Sequence, residues 1–319
     1  MAKHTTVCAG IDTGKSKLDV AIDERPERLQ VNNKADGHEK LIEWLRQHRV
    51  KRIGIEASGG YERAVVAALR RKRFVVVVFQ PAQVRAYAAF HLQRAKNDKI
   101  DAALIASCTA AVKTIHAPPD PRLEPFADHL TMIDQICEDI ARLKTRREPC
   151  RDPRIRQLWK QEIARLRKLE KTELKSLAAA IRQHSDLAQR LDLIESVEGI
   201  GLRTAVAIVV RMPEIGRITR EQAAALAGIA PYDDDSGNLV GVRHIEGGRE
   251  RLRRALYTAA FAAAFHWNPQ LIALYKRLTR AGKLHKVALI ACARKLLIFA
   301  NTVVARGTPW TTRASVATS

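Results

Sequence analysis

The stretch Thr6-Val-Cys-Ala-Gly-Ile-Asp-Thr-Gly-Lys-Ser-Lys-Leu-Asp-Val-Ala-Ile22 decides the reading of the N-terminal part. Residues 6–11 form a short apolar run that ends at Asp12. Thr13-Gly-Lys-Ser16 is a polar turn, and residues 18–22 return as a second strand. Residues 29–32 supply a third. Short links between the three predict an antiparallel meander. Residues 38–48 then read as a helix with Leu41, Ile42 and Leu45 on one face. Residues 53–55 are a strand ending at Glu56, and residues 61–71 are a second helix. The β-branched run 74–79 reads as a fully buried strand. Helices over 82–92 and 100–112 complete the block. Three leading strands followed by alternating helices and strands predict an α/β layer fold of the RNase H type over residues 1–115.

The next segment changes character. Phe126, Leu130, Ile133, Cys137 and Ile140 step by fours and threes, a heptad seam. Glu148-Pro-Cys-Arg-Asp-Pro153 breaks the helix, and Ile163, Leu166, Leu174, Leu177 and Ile181 form a looser second seam. Two helices around a proline turn predict an antiparallel coiled-coil hairpin over 116–190. Residues 141–182 carry 14 Lys/Arg against 5 Asp/Glu. That excess fits either a solvated face or an arm that touches phosphate or a second subunit. Residues 191–319 read as a mostly helical block. In it, Val197-Glu-Gly-Ile-Gly201 can be a phosphate-presenting turn between helices or a glycine packing turn. The polar stretch 232–248 precedes a basic helix that opens Arg249-Glu-Arg-Leu-Arg-Arg254.

Composition narrows the function classes. The chain has 319 residues, 46% hydrophobic, with a formal net charge of +21. Ordinary apolar content excludes a disordered tail. Cys8, Cys108, Cys137, Cys150 and Cys292 are too sparse for a disulfide scaffold and contain no CxxC pair. The charge points to a polyanion, nucleic acid before an anionic membrane. At 5% aromatic residues, stacking on single-stranded bases is not an evident theme. The apolar runs near 259–265 and 287–293 are shorter than a bilayer span, so the expectation is a cytoplasmic protein without a membrane partner.

Four acids occupy suggestive positions: Asp12 at the end of the first strand, Glu56 at the end of a central one, and Asp98 and Asp101 three residues apart at a helix start. That spacing places the last two on one helical face. Four carboxylates brought together repel unless a cation joins them. Mg²⁺ (or Mn²⁺) is the natural candidate, since it takes carboxylate oxygens and keeps waters for a phosphate substrate. Each acid taken alone is an ordinary strand-end or helix-start residue.

Their surroundings are specific. Gly10-Ile-Asp-Thr-Gly-Lys15, Ile55-Glu-Ala-Ser-Gly59 and Lys96-Asn-Asp-Lys-Ile-Asp-Ala102 resemble the DEDD motifs of the "one-ten" insertion-sequence transposase family, which includes the pilin-gene invertases. Val197-Glu-Gly-Ile-Gly201, Ala225-Leu-Ala-Gly-Ile-Ala-Pro231, Asp235-Ser-Gly237 and Leu252-Arg-Arg-Ala-Leu-Tyr257 resemble its second half, in order along nearly the whole chain.

The resemblance implies that Asp12, Glu56, Asp98 and Asp101 are the metal-binding acids of a RuvC-like domain. It makes Ser236 the nucleophile of a C-terminal transposase domain. It also implies a structured non-coding guide RNA that pairs with donor and target double-stranded DNA, and homodimers that assemble into tetramers. The setting implied is the nucleoid of a prokaryotic cytoplasm. Arg243, Arg249, Arg253 and Arg254 become candidate contacts to nucleic acid. The sequence around the serine, Asn238-Leu-Val-Gly-Val-Arg243 preceded by Asp233-Asp-Asp235, departs from the family pattern. Two other classes compete: a junction-resolvase-like nuclease that uses the acids without the serine, and a non-catalytic basic protein whose acids are structural.

Overall fold

The computed structural model describes residues 6–92, 98–115, 118–232 and 243–311, with backbone only for 98–100. The chain divides into two compact units, Met1–Ala117 and Pro118–Ser319.

The first unit is built on a five-stranded sheet of β1 (Cys8–Thr13), β2 (Lys17–Ile22), β3 (Arg28–Asn32), β4 (Arg52–Glu56) and β5 (Val75–Phe79), in the order β3-β2-β1-β4-β5. β1, β2 and β3 form the antiparallel meander, whereas β4 and β5 run parallel to β1. This is the strand order of an RNase H-type sheet. The helices are α1 (Ala35–Gln47), α2 (Arg63–Arg71), α3 (Pro81–Phe90) and α4 (Asp98–Ala111).

The period-two alternation sorts the side chains. Ile11, Leu18, Val20, Ile22, Ile53 and Ile55 pack with Leu41, Leu45, Val65 and Leu69 of α1 and α2. The opposite face, with Gly10 and Gly54, receives α4. β5 departs from its expected full burial: Val75 and Val78 are 42% and 36% exposed, and only Phe79 is buried. Its place at the sheet edge leaves the outer part of the strand without a covering layer. A β-branched run marks a strand, and neighbours decide how deeply it lies.

The second unit is helical. α5 (Leu123–Arg147) and α6 (Pro153–Arg182) form a hairpin, and Asp152 caps α6 by accepting from the backbone N–H groups of Arg154 and Ile155. Ile136, Ile140, Ile163 and Leu166 pack near the turn. Leu130, Ile133, Leu177 and Ile181, at the other end, share one core with the helices that follow. These seam positions run antiparallel. Within the seams, Phe126, Cys137 and Leu174 are only partly buried.

Then come α7 (Ser185–Glu195), α8 (Leu202–Arg211), α9 (Arg220–Ala227), α10 (Glu250–Ala262), a π-helical turn (Ala263–Trp267), α11 (Pro269–Arg280) and α12 (His285–Arg306). Between α9 and α10 lies a two-residue ladder of β6 (Pro231–Tyr232) and β7 (His244–Ile245).

α12 is long and apolar enough, by length and composition, to cross a membrane, which the shorter apolar run had not indicated. Its Leu289, Cys292, Leu296, Leu297 and Ala300 are fully buried against α7, α9, α10 and α11, so it serves here as a core helix. Gly199, at φ +96°, sits where a Cβ would lie 2.3 Å from the Cβ of Ala263, which makes it a close-packing position. Gly201 caps α8 and borders open space.

Candidate functional site

Asp12 and Glu56 are brought side by side by the parallel pairing of β1 and β4. Ile11 lies opposite Ile55, so the two acids occupy the next register position at the C-terminal ends of adjacent strands. Their facing follows from the glycines two residues back. A Cβ on Gly10 would lie 2.3 Å from the Ala102 carbonyl oxygen and 2.2 Å from the Ala106 amide nitrogen of α4. One on Gly54 would strike Thr109 of the same helix. Residues i and i+2 share a face, so Asp12 and Glu56 point to the α4 side.

α4 runs from Asp101 and Ala102, over Gly10, to Thr109, and the carbonyls of Thr109 and of Val112, just past the helix, accept from Arg52 at the far end of β4. Its first turn, with Asp101, therefore lies toward the strand ends that carry Asp12 and Glu56. All three are partly buried. Asp98 begins the helix, and its side chain lies outside the described residues, as does Ser236.

A further acid went unread in the sequence. Asp19 on β2 is the direct cross-strand partner of Asp12 and shares its face. It is 9% exposed, accepts from Gln30 Nε2 at 2.6 Å and pairs with Lys17 Nζ at 3.1 Å. An acid at the polar step of an otherwise apolar strand, one hairpin turn after Asp12, was the signal available. Gln30, Asp19, Asp12 and Glu56 thus make a polar row across four strands.

Among the described side chains, no three of His, Cys, Asp and Glu stand close enough to hold a metal ion together. The donor set still suits one. It consists of carboxylates only, from β1, β4 and α4, at the mouth of a sheet, and hard divalent cations take oxygen ligands of this kind.

In the second unit, β6 and β7 close the base of the segment that holds Ser236. One arginine links the chain before β6 to the chain after β7, and another pairs farther off. Arg253 donates to the carbonyl oxygens of Gly228 and Gly247 at 3.3 and 2.6 Å, and Arg249 makes a two-pronged pair with Glu214 at 2.6 and 2.8 Å. Burial opposes ionisation of Glu214, but Arg249 outweighs it and holds the carboxyl below its usual value. Arg254 pairs with Glu138 and Glu250, both at 2.9 Å. Arg243 is exposed.

A cleft of about 330 Å³ lies beside this helix, lined by Asp134, Glu138, Arg203, Arg251 and Arg254 among others. Asp134 anchors it, accepting from Arg203 at 3.1 Å, Arg211 at 2.6 Å and Arg251 at 3.5 Å. Burial pushes Arg211 down, and the Asp134 charge opposes that shift. Asp134→Ala leaves the largely buried Arg211 without its carboxylate. We expect a loss of about 3 kcal/mol, the scale for breaking one side of a buried pair, read from urea unfolding.

Comparisons with known proteins place the chain in a family. Residues 9–149 match a transposase family model named for DEDD and IS110, and residues 191–276 match the model "Transposase IS116/IS110/IS902 family". The pilin gene-inverting proteins of Moraxella bovis and Moraxella lacunata are each 24% identical over 95% of this chain and 97% of their own. The "Insertion element IS110 uncharacterized 43.6 kDa protein" of Streptomyces coelicolor is 30% identical over 38% of this chain and 30% of its own. A solved Thermus thermophilus RuvC is 23% identical over 35% of this chain and 84% of its own, at a TM-score of 0.24, too low to add to what the strand order gives. Two models of one family match successive parts of the chain that together make up more than half of it, and relatives align along nearly all of it: the chain belongs to the IS110 family of transposases, enzymes of DNA recombination.

Proposed function

We propose that the protein cuts and exchanges DNA strands of an insertion sequence, with Asp12, Glu56, Asp98 and Asp101 holding Mg²⁺ or Mn²⁺ and Ser236 acting as nucleophile. The observation that carries the acidic half is the placement of Asp12 and Glu56 at adjacent parallel strand ends, facing the helix that bears Asp101. Bound there, a divalent cation neutralises phosphate charge and lowers the pKa of an attacking oxygen. The acids bind and orient it, and their carboxylates can accept a proton from the attacking group.

Ser236 supplies the covalent step. Its Oγ loses a proton and bonds to a DNA phosphorus, the bond from phosphorus to the 3′ oxygen breaks, and a 3′ hydroxyl leaves. A 3′ hydroxyl of the exchanged strand then attacks the phosphoserine and releases the serine. Phosphodiester bonds are conserved in number, so no ATP enters. Arg253 links the two ends of the serine segment, while Arg243 and Arg254 reach nucleic acid.

Target choice falls to a structured guide RNA pairing with donor and target duplexes, the protein reading backbone and shape. The working form is a tetramer assembled from two dimers, with contacts through the α5–α6 hairpin, whose excess of cations suits a phosphate-rich assembly. The setting is the prokaryotic nucleoid. The three functional parts are the acidic domain 1–115, the hairpin 116–190 and the serine domain 191–319.

The test traps the intermediate. Protein expressed with its native flanking DNA is lysed in denaturing detergent, and DNA attached to protein is measured. An adduct present in wild type and lost in Ser236→Ala and Asp12→Asn supports the whole reading. Cleavage without adduct, unchanged in Ser236→Ala, sinks the serine step and leaves the resolvase-like reading, which rests on the same acids.

A further inference from the structure

From Arg251 to the end, 69 residues by number, the chain holds 12 Lys/Arg and no Asp or Glu. The same region exposes aromatic rings. Phe261 (49%), Phe265 (40%) and Trp267 (66%) stand out from the end of α10 and the π-helical turn, whereas Leu256, Ala259, Ala260 and Ala263 of the same segment face the core. Rings of Phe261 and Phe265 lie 5.0 Å apart, Phe265 and Tyr275 4.9 Å apart, and Tyr275 and His285 5.8 Å apart. The Tyr275 hydroxyl lies 2.6 Å from His285 Nδ1, which fixes the α11 and α12 ends of the row. Lys276, Arg277, Arg280, Lys283 and Lys286, close in sequence to Tyr275 and His285, are all exposed. Among the described residues none of the five has a carboxylate partner.

An exposed apolar row of this size needs an occupant. A second copy of the same face would set cations against cations with no acid to offset them, so self-association through it is opposed by charge. An acidic polymer with flat apolar faces satisfies both features: bases stack on the rings and phosphates meet the lysines and arginines. Duplex DNA hides its base faces. A strand freed from its duplex during DNA recombination exposes them. The π-helical turn fits this use, because such turns re-aim side chains out of helical register and are frequent at functional sites. The whole-chain aromatic content concealed the row, since its rings gather on one face.

We infer that the row Phe261–Phe265–Tyr275–His285 is a stacking platform for an unpaired DNA strand, with Lys283 and Lys286 on its phosphates. This rests on the recombinase class alone and needs neither the metal nor the serine proposal.

The test uses the full-length protein and a fluorescent oligothymidylate, its duplex with oligoadenylate, and the matching RNA strand. Phe265→Leu keeps apolar volume but removes the ring. It is expected to weaken single-strand binding about tenfold and duplex binding less than about twofold. Lys283→Ala with Lys286→Ala lowers the salt slope for the single strand by roughly 1.4, two phosphates' worth. Oligothymidylate carrying 5-iodouracil is expected to photocrosslink between residues 261 and 285 of the wild type, a readout independent of any variant's folding. Crosslinks confined elsewhere, equal losses for single strand and duplex, or tighter binding of the RNA strand each overturn the proposal. So does conversion of an oligomer to a monomer by Phe265→Leu in sedimentation, which would make this face a subunit interface.

Discussion

Asp12→Asn is expected to lower strand cleavage at least about a thousandfold, because a metal-bound site supplies several kcal/mol of charge stabilisation and each 1.4 kcal/mol is a factor of ten. The change is isosteric and keeps the strand intact, so the protein should fold. A second measurement separates loss of ion from loss of structure. Asp12 has Asp19 directly opposite and Glu56 beside it, and like charges so placed destabilise each other in the metal-free state. The metal-free melting temperature reports whether the variant keeps its fold. The rise in melting temperature on adding Mn²⁺, which follows the ratio of ion concentration to its dissociation constant, should shrink. Glu56→Gln should behave alike. A variant that melts as wild type, responds to Mn²⁺ as wild type and still cleaves would remove these acids from the chemistry.

Gly10→Ala is expected to cost more than about 3 kcal/mol, beyond the usual range for one added methyl group. The atoms it would meet are backbone of α4: Ala106 N at 2.2 Å, Ala102 O at 2.3 Å and Ile105 C at 2.7 Å. A side chain can swing aside, but a helix backbone has to move as a whole. For a unit of this size, 3 kcal/mol corresponds to a drop of roughly 10 °C or more in melting temperature. Any variant that remains folded has α4 lifted from β1, which withdraws Asp101 from the strand ends, so cleavage should fall further than stability alone explains. Gly201→Ala is the control: a Cβ there meets nothing within 4 Å, and only the N-cap preference of glycine over alanine, about 1 kcal/mol, is lost. Calorimetry on both variants gives the comparison.

Much of the acidic site was legible along the chain. The short apolar runs, the polar turn at residues 13–16 and the alternation in 18–22 place β1 and β2, and with them Asp12, because period-two burial is written in consecutive residues. The α5–α6 hairpin was legible for a similar reason, from apolar residues three and four apart on either side of a proline turn. Features that depend on a neighbour were not. Phe74–Phe79 looks like an interior strand until the sheet order puts β5 at the edge. Asp19 looks like a polar step until hairpin register sets it opposite Asp12. Arg249, Arg253 and Arg254 look alike in a basic helix. Glu214, two carbonyl oxygens and Glu138 give them three different engagements.

The sequence by itself determined which elements form, in what order, and which residues sit at their ends, since propensity, periodicity and turn chemistry act between residues a few positions apart. The tertiary structure alone decided which face the acids take and what stands beside them. Gly10 and Gly54 admit α4 only because no Cβ keeps it away, and parallel pairing then aligns Asp12 with Glu56 across 44 positions of chain. The exposed ring row arises likewise from three helices and a π-helical turn meeting at one surface. Close approach between distant segments is a property of volumes and backbone geometry in three dimensions, and no local pattern encodes it.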